Sequence, residues 1–334
     1  MARCADQVQQ GRWQRSAVSE QCPWHTTHIV MFNSRIENHH ISQGVREFGS
    51  SEHRILMGDA LDALGSIAPK SCALIFIDPP YNIGKKFGAF EDRWESDDDY
   101  IAWCTKWLDV CIQKLADDGS LYVMTSTQSM PYIDIFLRDR LTILSRIVWH
   151  YDSSGVQARK FFGSTYEPII HAVVDKNNYC FNAEDIKVEA RTGATRKLID
   201  YRKSIPSEYS STKVPGNVWY IPRVRYRMPE YEEHPSQKPE ALLERIIRAS
   251  SRSGDCILDP FSGTFTTSAV AKRLGRKSVG IELSPQYVGI GLRRLGLADE
   301  LDGVPLRPVQ KNFSRRNKKR SADDAAAVVQ LGLA

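Results

Sequence analysis

The sequence has no apolar run long enough to cross a membrane, and its polar N-terminal region does not have the character of a signal peptide. Its seven cysteines form no C-x-x-C pair and no Cys/His spacing typical of a zinc site. Thiols scattered singly along a chain are typical of a reducing compartment. We therefore predict a cytoplasmic protein with neither a metal site nor a disulfide framework.

Positive charge is concentrated in two segments, although the net charge of all 334 residues is only +5. Residues 191–229 hold nine Lys and Arg against two acids, and residues 307–320 hold seven and no acid, so each carries +7. In the first segment the cations alternate with aromatic residues, which are Tyr201, Tyr209, Trp219, Tyr220 and Tyr226. Cations among aromatics suit phosphate contact combined with base stacking, so this segment predicts a polyanion-facing surface. The second segment is either a solvated tail or a non-specific phosphate-binding one.

The tetrapeptide Asp78-Pro79-Pro80-Tyr81 follows the apolar run 73–77, which is typical of a fully buried strand. Two prolines end the strand, because neither donates a ladder hydrogen bond. The expected result is a rigid turn at the carboxyl end of a strand, where open α/β sheets place their sites. Its carboxylate, prolyl carbonyls and aromatic face suit an exocyclic amine on a flat ring.

Alternating strand and helix patterns predict a mostly parallel sheet that is covered on both faces. The predicted strands are 54–57, 73–77, 120–126, 143–151, 169–174, 256–258 and 277–282, and the predicted helices are 60–67, 98–115, 130–139, 238–251, 266–274 and 284–294. We expect the helix 98–115 to stop near Asp117-Asp118-Gly119. Residues 82–97 are expected to form a mobile loop over the site. His171 is expected to be packed within its strand, with its polar atoms satisfied.

A second group of residues runs from a strand into a tight loop at Asp259-Pro260-Phe261-Ser262-Gly263-Thr264. Glu282 ends another strand 23 residues after Asp259, at the spacing of the acid that binds a ribose diol in a Rossmann-like fold. Phe265 stands where a second glycine would let a pyrophosphate approach, which disfavours a dinucleotide. A nucleoside without phosphate, such as S-adenosylmethionine (SAM), suits the loop better, and a purely structural strand–turn–helix is the alternative.

Taken together, these motifs resemble the SAM-dependent amino-methyltransferases of DNA, in the β class whose catalytic half precedes the cofactor half. The resemblance covers roughly residues 54–296. It is carried by Gly58-Asp59-Ala60-Leu61, Asp78 through Gly84, Tyr166-Glu167-Pro168, His234-Pro235-Ser236-Gln237-Lys238-Pro239 and Asp259 through Thr264. It implies a Rossmann-like α/β fold, with a mostly parallel seven-stranded sheet and helices on both faces.

The resemblance also assigns roles to individual residues. The catalytic residues would be Asp78, Pro79, Pro80 and Tyr81. The SAM-binding residues would include Asp78. Asp59 would contact the adenine, Ser236 and Lys238 would hold the methionine end, and Glu282 would bind the ribose. The pocket would be lined by Asp259, Phe261, Ser262, Gly263 and Thr264. The candidate DNA contacts are Lys85, Lys86, Arg196, Lys197, Arg202, Lys203, Lys213, Arg223, Arg225 and Arg227, the last three alternating along an expected strand.

The implied activity is methyl transfer from SAM to N6 of adenine in duplex DNA by base flipping, without a metal. The alternatives are N4-cytosine methylation, an RNA or protein-amide substrate, and a catalytically silent DNA-binding regulator. Asp rather than Ser at the start of the tetrapeptide favours adenine. A homodimer is expected, and nucleoid DNA is the expected substrate.

The expected domain organisation has five parts. They are a poorly ordered extension at 1–50, the catalytic half at 51–152, a target-recognition segment at 153–232 that begins with a core strand near 166–174, the cofactor half at 233–296, and a flexible basic tail at 297–334.

Overall fold

One sheet forms the centre of the molecule in the computed structural model, which describes residues 44–87, 90–151, 159–190 and 198–307. Its nine strands within those residues are β1 (Arg46–Gly49), β2 (His53–Met57), β3 (Cys72–Ile77), β4 (Leu115–Met124), β5 (Thr142–His150), β6 (Tyr166–Val173), β7 (Val218–Tyr220), β8 (Cys256–Asp259) and β9 (Lys277–Glu282). Their spatial order is β1-β2-β9-β8-β3-β4-β6-β5-β7.

The sheet is largely parallel, as predicted. From β2 through β9, β8 and β3 to β4 every neighbouring pair is parallel, whereas β6 runs antiparallel to β4 and β5. The seven predicted strands are all present, and β1 and β7 add one short strand at each edge. The α/β fold with a mostly parallel sheet is confirmed.

The strand β1 shows that the predicted extension 1–50 is too long at its carboxyl end. Residues 46–49 pair antiparallel with residues 54–57. Gly49 makes the reversal possible, since its φ of +110° and a distance of 2.1 Å from a built Cβ to the His53 carbonyl oxygen exclude a side chain there. The remainder of the predicted extension, residues 1–43, lies outside the described residues.

Helices cover both faces of the sheet. They are α1 (Ala60–Leu64), α2 (Asp97–Lys114), α3 (Met130–Arg138), α4 (Glu240–Ser250), α5 (Thr266–Arg273) and α6 (Pro285–Leu295). Ile75 and Ile77 pack into the core cluster with α2 and α3, while Leu74 and Phe76 pack into the cluster with α4 and α5. This alternation explains why β3 is apolar at every position. None of these described helices is long and apolar enough to cross a membrane.

The helix α2 matches the predicted range 98–115 to within one residue at each end, but Asp117-Asp118-Gly119 does not form its stop, because β4 begins directly at Leu115. Lys114 is buried and its ammonium donates to the Ile67 carbonyl at 2.8 Å, which fixes the helix end against the loop after α1. A register shift then places the acids in an irregular start of β4, where Cys72 pairs with Leu115 but Leu74 pairs with Ser120.

His171 is packed as expected, but its polar atoms are not all satisfied. Its ring stacks on Tyr122 with the centroids 4.1 Å apart, and Nε2 has no hydrogen-bond partner among the described residues. Burial lowers the pKa of His171 to about 4.

Parallel strands bring their carboxyl ends to one edge of the sheet, and this edge collects the acidic residues singled out above. Asp78 follows β3, Asp259 ends β8 and Glu282 ends β9, while Asp59 follows β2 by two residues. Asp259 pairs with Gly280 and Glu282 pairs with Met57, so the carboxyl ends of β2, β8 and β9 lie within two residues of one another along the sheet edge.

Candidate active site

The turn after β3 is held by hydrogen bonds from three sides. The Tyr81 hydroxyl donates to Asp78 Oδ1 at 2.7 Å, and the Tyr81 amide donates to Asp92 Oδ2 at 3.1 Å. The Tyr100 hydroxyl donates to the Pro80 carbonyl at 2.8 Å. Asp92 is fully buried and also accepts the Lys85 amide. The two prolines and these bonds fix both the Asp78 carboxylate and the Tyr81 ring.

A lysine from the other half of the chain reaches this turn. Lys238 Nζ lies 2.6 Å from Asp78 Oδ2 and 3.5 Å from Glu167 Oε2. Glu167 also accepts hydrogen bonds from the hydroxyls of Tyr81 and Tyr151, each at 3.2 Å. One ammonium is therefore shared by two largely buried carboxylates.

The charges of this group shift one another's pKa values. Burial raises the pKa of the Asp78 carboxyl, the Lys238 ammonium opposes that shift, and the Glu167 charge adds to it. Burial alone would lower the pKa of Lys238, but the charges of Asp78 and Glu167 outweigh it, so the pKa of Lys238 is raised. Burial raises the pKa of the Tyr81 hydroxyl as well, so Tyr81 remains a hydrogen-bond donor.

Among the described residues, the acids of the second loop are bound by neutral donors only. Asp259 accepts from the Thr267 hydroxyl at 2.5 Å and from the Phe261 amide at 3.1 Å. Glu282 accepts from the Gly263 amide at 2.9 Å and from the Ser284 amide at 2.8 Å. Burial raises the pKa of each of the two carboxyls to about 7.

Phe265 leaves the loop and enters the core, although its backbone has a conformation that favours glycine. Its φ of +56° is left-handed and its side chain is fully buried. The ring occupies the space above Gly280 and Gly291, where a built Cβ would lie 2.6 Å and 2.4 Å from it. Side chains at those two positions would displace the ring.

The remaining predicted cofactor residues have structural partners. Asp59 caps α1 by accepting the Leu61 amide at 2.8 Å. The Ser262 hydroxyl donates to the Asp259 carbonyl, and the Thr264 hydroxyl is bonded to that of Thr266. Phe261 packs edge-on against Trp107 with the ring centroids 5.2 Å apart.

Ser236 lies in a turn next to a cavity. The Ser236 amide donates to His234 Nδ1 at 3.2 Å, and Pro239 occupies the N-cap of α4. The cavity measures about 340 Å³ and is lined by Tyr231, Glu233, His234, Pro235, Gln286 and Tyr287. Of the predicted cofactor residues, Asp259 through Thr264 and Glu282 lie at the carboxyl ends of β8 and β9. Asp59 follows β2, Asp78 follows β3, and the Lys238 ammonium lies at Asp78.

The candidate DNA contacts are distributed over several loops. Lys85 borders the site and donates to the Pro235 carbonyl at 2.8 Å, while Lys86 is exposed in a small hairpin of Lys86–Phe87 and Phe90–Glu91. This hairpin lies within the segment 82–97 that was predicted as a loop. Lys213 belongs to a two-residue strand pair with Val188–Glu189. Arg196 and Lys197 lie outside the described residues.

Two of the cations are already bound within the protein. Arg202 forms a bidentate ion pair with Asp200 at 2.8 and 3.0 Å, and the Lys203 ammonium donates to the Ser207 hydroxyl. The Asp200 carboxylate offsets the charge that Arg202 offers to a polyanion, whereas Lys203 keeps its full charge.

The predicted strand through Arg223, Arg225 and Arg227 is wrong. Residues 221–230 form an irregular segment with turns, Arg227 has a φ of +82°, and the Met228 amide donates to the Arg225 carbonyl across one turn. Pro222 and Pro229 lack the amide hydrogens that a strand needs. The Arg223 guanidinium lies 5.0 Å from the Tyr151 ring centroid and so approaches the active site.

Sequence reasoning did not assign a role to Glu167 or Tyr151. Glu167 stands in the Tyr166-Glu167-Pro168 motif, so the sequence did contain a signal. Its partners are Tyr81 in the turn after β3, Tyr151 after β5 and Lys238 in the turn before α4. Nothing in the local pattern states that these three segments meet.

Comparison with known proteins gives a consistent result. A family model described as DNA methylase (N6_N4_Mtase) matches residues 72–293. The DNA adenine methyltransferase YhdJ of Escherichia coli is 52% identical over 83% of this chain and 95% of its own length. The type II methyltransferase M.HpaI of Haemophilus parainfluenzae is 31% identical over 73% of this chain and 74% of its own.

Solved structures share the fold. The cytosine-N4-specific PvuII DNA methyltransferase is 20% identical with a TM-score of 0.56, and the match covers 78% of this chain and 92% of that one. A complex of M1.HpyAVI with SAM is 21% identical with a TM-score of 0.50, over 73% of this chain and 100% of that one.

Proposed function

This chain belongs to the DNA methylase family N6_N4_Mtase, and on that premise we propose that it transfers a methyl group from SAM to N6 of adenine in duplex DNA. The observation that carries the proposal is the common sheet edge that holds Asp78 and Tyr81 beside Asp259 and Glu282. One end of this edge suits an amine on a flat base, and the other suits a nucleoside. The 52% identity to an adenine methyltransferase supports adenine over cytosine.

The residues at β8 and β9 fit the nucleoside part of SAM. Glu282 is half-buried and forms no ion pair with any Lys or Arg in the described part of the chain. Its two backbone donors leave carboxylate lone pairs that would accept the two ribose hydroxyls. Phe261 would offer an aromatic surface next to them. SAM supplies an electrophilic methyl group when it is bound.

The protein's part in the reaction is to hold the target amine. An adenine amino group has a lone pair that is delocalised into the ring, so it is a poor nucleophile. Hydrogen bonds from its two N–H groups to the Asp78 carboxylate and the Pro79 carbonyl would favour a pyramidal nitrogen. Catalysis is then positioning and electrostatics, with no covalent enzyme intermediate.

The base must leave the duplex to reach Asp78, which costs a few kcal/mol. Stacking on Tyr81 offsets about 1–3 kcal/mol of this cost. The hydrogen bonds of the Tyr81 hydroxyl hold the ring in one orientation before the base arrives.

We assign the segments of the chain accordingly. Residues 51–152 would form the catalytic half, 153–232 the target-recognition segment and 233–296 the cofactor half. The proposed DNA contacts are the cations named above, of which Arg223 and Lys85 border the active site. The substrate in the cell would be the DNA of the nucleoid.

A homodimer is part of the proposal. Tyr132 and Ile135 lie one turn apart on α3, and each exposes more than half of its surface, 57% and 60%. Light scattering should give twice the mass of one chain. The variant Tyr132→Lys/Ile135→Lys should give a monomer, and a monomeric wild type would overturn this part.

Analysis of modified nucleosides tests the activity. Unmethylated plasmid DNA, incubated with the protein and SAM carrying an isotopically labelled methyl group, should yield labelled N6-methyladenine. Labelled N4-methylcytosine would establish the cytosine alternative, and labelling of an RNA competitor in preference to DNA would exclude DNA as the substrate.

A further inference from the structure

Both oxygens of the Asp78 carboxylate are occupied in the structure. Oδ2 is bound by the Lys238 ammonium at 2.6 Å and Oδ1 by the Tyr81 hydroxyl at 2.7 Å. A target amine can still reach a free lone pair of Asp78, but it then shares the carboxylate with these two donors, and the ammonium weakens the carboxylate as an acceptor. The amine would bind Asp78 more strongly if the ammonium moved away, because the carboxylate would then keep its full negative charge for a charge-assisted hydrogen bond to the amine.

The two donors share a second acceptor. Glu167 Oε2 lies 3.2 Å from the Tyr81 hydroxyl and 3.5 Å from Lys238 Nζ. A shift of less than about 1 Å would bring both donors to normal hydrogen-bond distance from Glu167. They would not need to leave the site or enter water.

Glu167 is itself held in place. Its other oxygen, Oε1, accepts the Tyr151 hydroxyl at 3.2 Å, and its backbone lies in β6, where Glu167 pairs with Trp149. The next residue, Pro168, accepts the Thr125 amide from the end of β4. The second carboxylate is therefore part of the rigid sheet, whereas the Lys238 side chain has rotatable bonds.

We propose that Glu167 is the positioning residue of the methylation reaction: it takes Lys238 and Tyr81 over from Asp78 when the target amine binds. The inference rests on the proposed function. With one ammonium between two carboxylates, its transfer from Asp78 to Glu167 keeps the number of buried ion pairs constant. The exchange then costs little, because the carboxylate that loses its cation, Asp78, gains the target amine as a hydrogen-bond donor.

The variant Glu167→Gln tests this role, because it keeps the shape of the side chain and removes its charge. Lys238 then stays on Asp78, so kcat on unmethylated plasmid DNA should fall by about tenfold or more, while the Kd values for SAM and for DNA stay within about twofold. The Glu167 charge raises the pKa of Asp78. Its loss should therefore move the acid limb of the kcat–pH profile to lower pH, which a purely structural role would not do.

Three further variants complete the test. In a Lys238→Met background, Glu167→Gln should have almost no additional effect on kcat at pH values above the acid limb, because no ammonium is left for Glu167 to take over. Glu167→Asp keeps the charge at a shorter reach and should give an intermediate kcat with an unmoved acid limb. Glu244→Gln removes a half-buried, ion-paired carboxylate on α4 and should leave kcat unchanged.

The possible failures are distinct. No methylation of any DNA base by the wild type would overturn the proposed function. An active wild type with a Glu167→Gln variant of unchanged kcat and unchanged pH profile would overturn only the role of Glu167. If Glu167→Gln does not fold, as judged by circular dichroism, a Glu167→Asp variant with the kcat of the wild type would overturn it equally.

Discussion

Lys238 Nζ lies 2.6 Å from Asp78 Oδ2, so a lysine of the proposed cofactor half forms an ion pair with the acidic residue of the catalytic half. The resemblance to known methyltransferases placed Lys238 at the methionine end of SAM. The structure places its ammonium between Asp78 and Glu167, with the Ser236 carbonyl at 3.4 Å as a further partner. The two halves of the chain are therefore coupled through charge.

Lys238→Met should change the pH dependence in the direction opposite to Glu167→Gln. Lys238 lowers the pKa of Asp78, so removing it raises that pKa further. The acid limb of the kcat–pH profile should move to higher pH, so kcat should fall most at the acid end of the range. Lys187→Met, which removes a lysine paired with Glu184 at the surface, is the control and should change neither. An unmoved acid limb in Lys238→Met would contradict the electrostatic coupling.

Glu282 should make SAM binding dependent on pH. Its pKa is raised to about 7, and accepting two ribose hydroxyls favours the ionised carboxylate. SAM affinity should therefore fall as the pH drops below about 7 and reach a plateau above it. Calorimetric titration between pH 6 and pH 8.5 measures this, and Glu282→Gln should bind SAM weakly with a flatter profile. A steeper profile in the variant than in the wild type would count against the ribose assignment.

The same raised pKa has a consequence for stability without SAM. A carboxyl whose folded pKa exceeds its unfolded value of about 4.5 contributes stability below that value, and the contribution is lost as the pH rises through about 7. Urea unfolding of the SAM-free protein should show this loss between about pH 4.5 and pH 7. Glu282→Gln should reduce the loss, and an equally steep loss in the variant would assign it to other groups.

Gly280→Ala should destabilise the protein through the Phe265 ring. The added Cβ would lie 2.6 Å from the ring and 2.6 Å from the Ser262 hydroxyl oxygen, so the cofactor loop would have to shift. Overpacking of this kind costs about 1–3 kcal/mol in the free energy of unfolding. Gly216→Ala is the matched control, because nothing lies within 4 Å of its built Cβ. Equal unfolding free energies for the two variants would show that the ring has room to move.

The fold could be predicted from the sequence because its strands are apolar in uninterrupted runs. Leu74 to Ile77 alternate between two cores, and this pattern alone indicates a strand buried on both faces. The motif acids follow from the same reasoning, since Asp78, Asp259 and Glu282 each stand at or directly after a parallel strand end.

Three features could not be predicted, each because a tertiary contact decides it. Glu167 reaches Tyr81 only because β6 lies beside β4 in the sheet order. Phe265 turns into the core because Gly280 and Gly291 leave space there, far along the chain. β1 is mostly exposed and has no apolar pattern, so only its pairing with β2 defines it.

The triple variant Arg223→Ala/Arg225→Ala/Arg227→Ala should weaken DNA binding for all sequences. Each lost phosphate contact should lower the slope of log affinity against log salt concentration by about one. Fluorescence anisotropy with labelled duplexes at several salt concentrations measures both quantities. Arg140→Ala, at an exposed ion pair with Asp109, serves as the control. Unchanged affinity and slope in the triple variant would remove these arginines from the proposed DNA surface.

The most direct test is a single-turnover methylation assay with Asp78→Ala. We expect the wild-type protein to form N6-methyladenine in duplex DNA, and the variant, folded and still able to bind SAM, to form none above background. A variant that forms the product at the wild-type rate would contradict the claim that Asp78 holds the target amine.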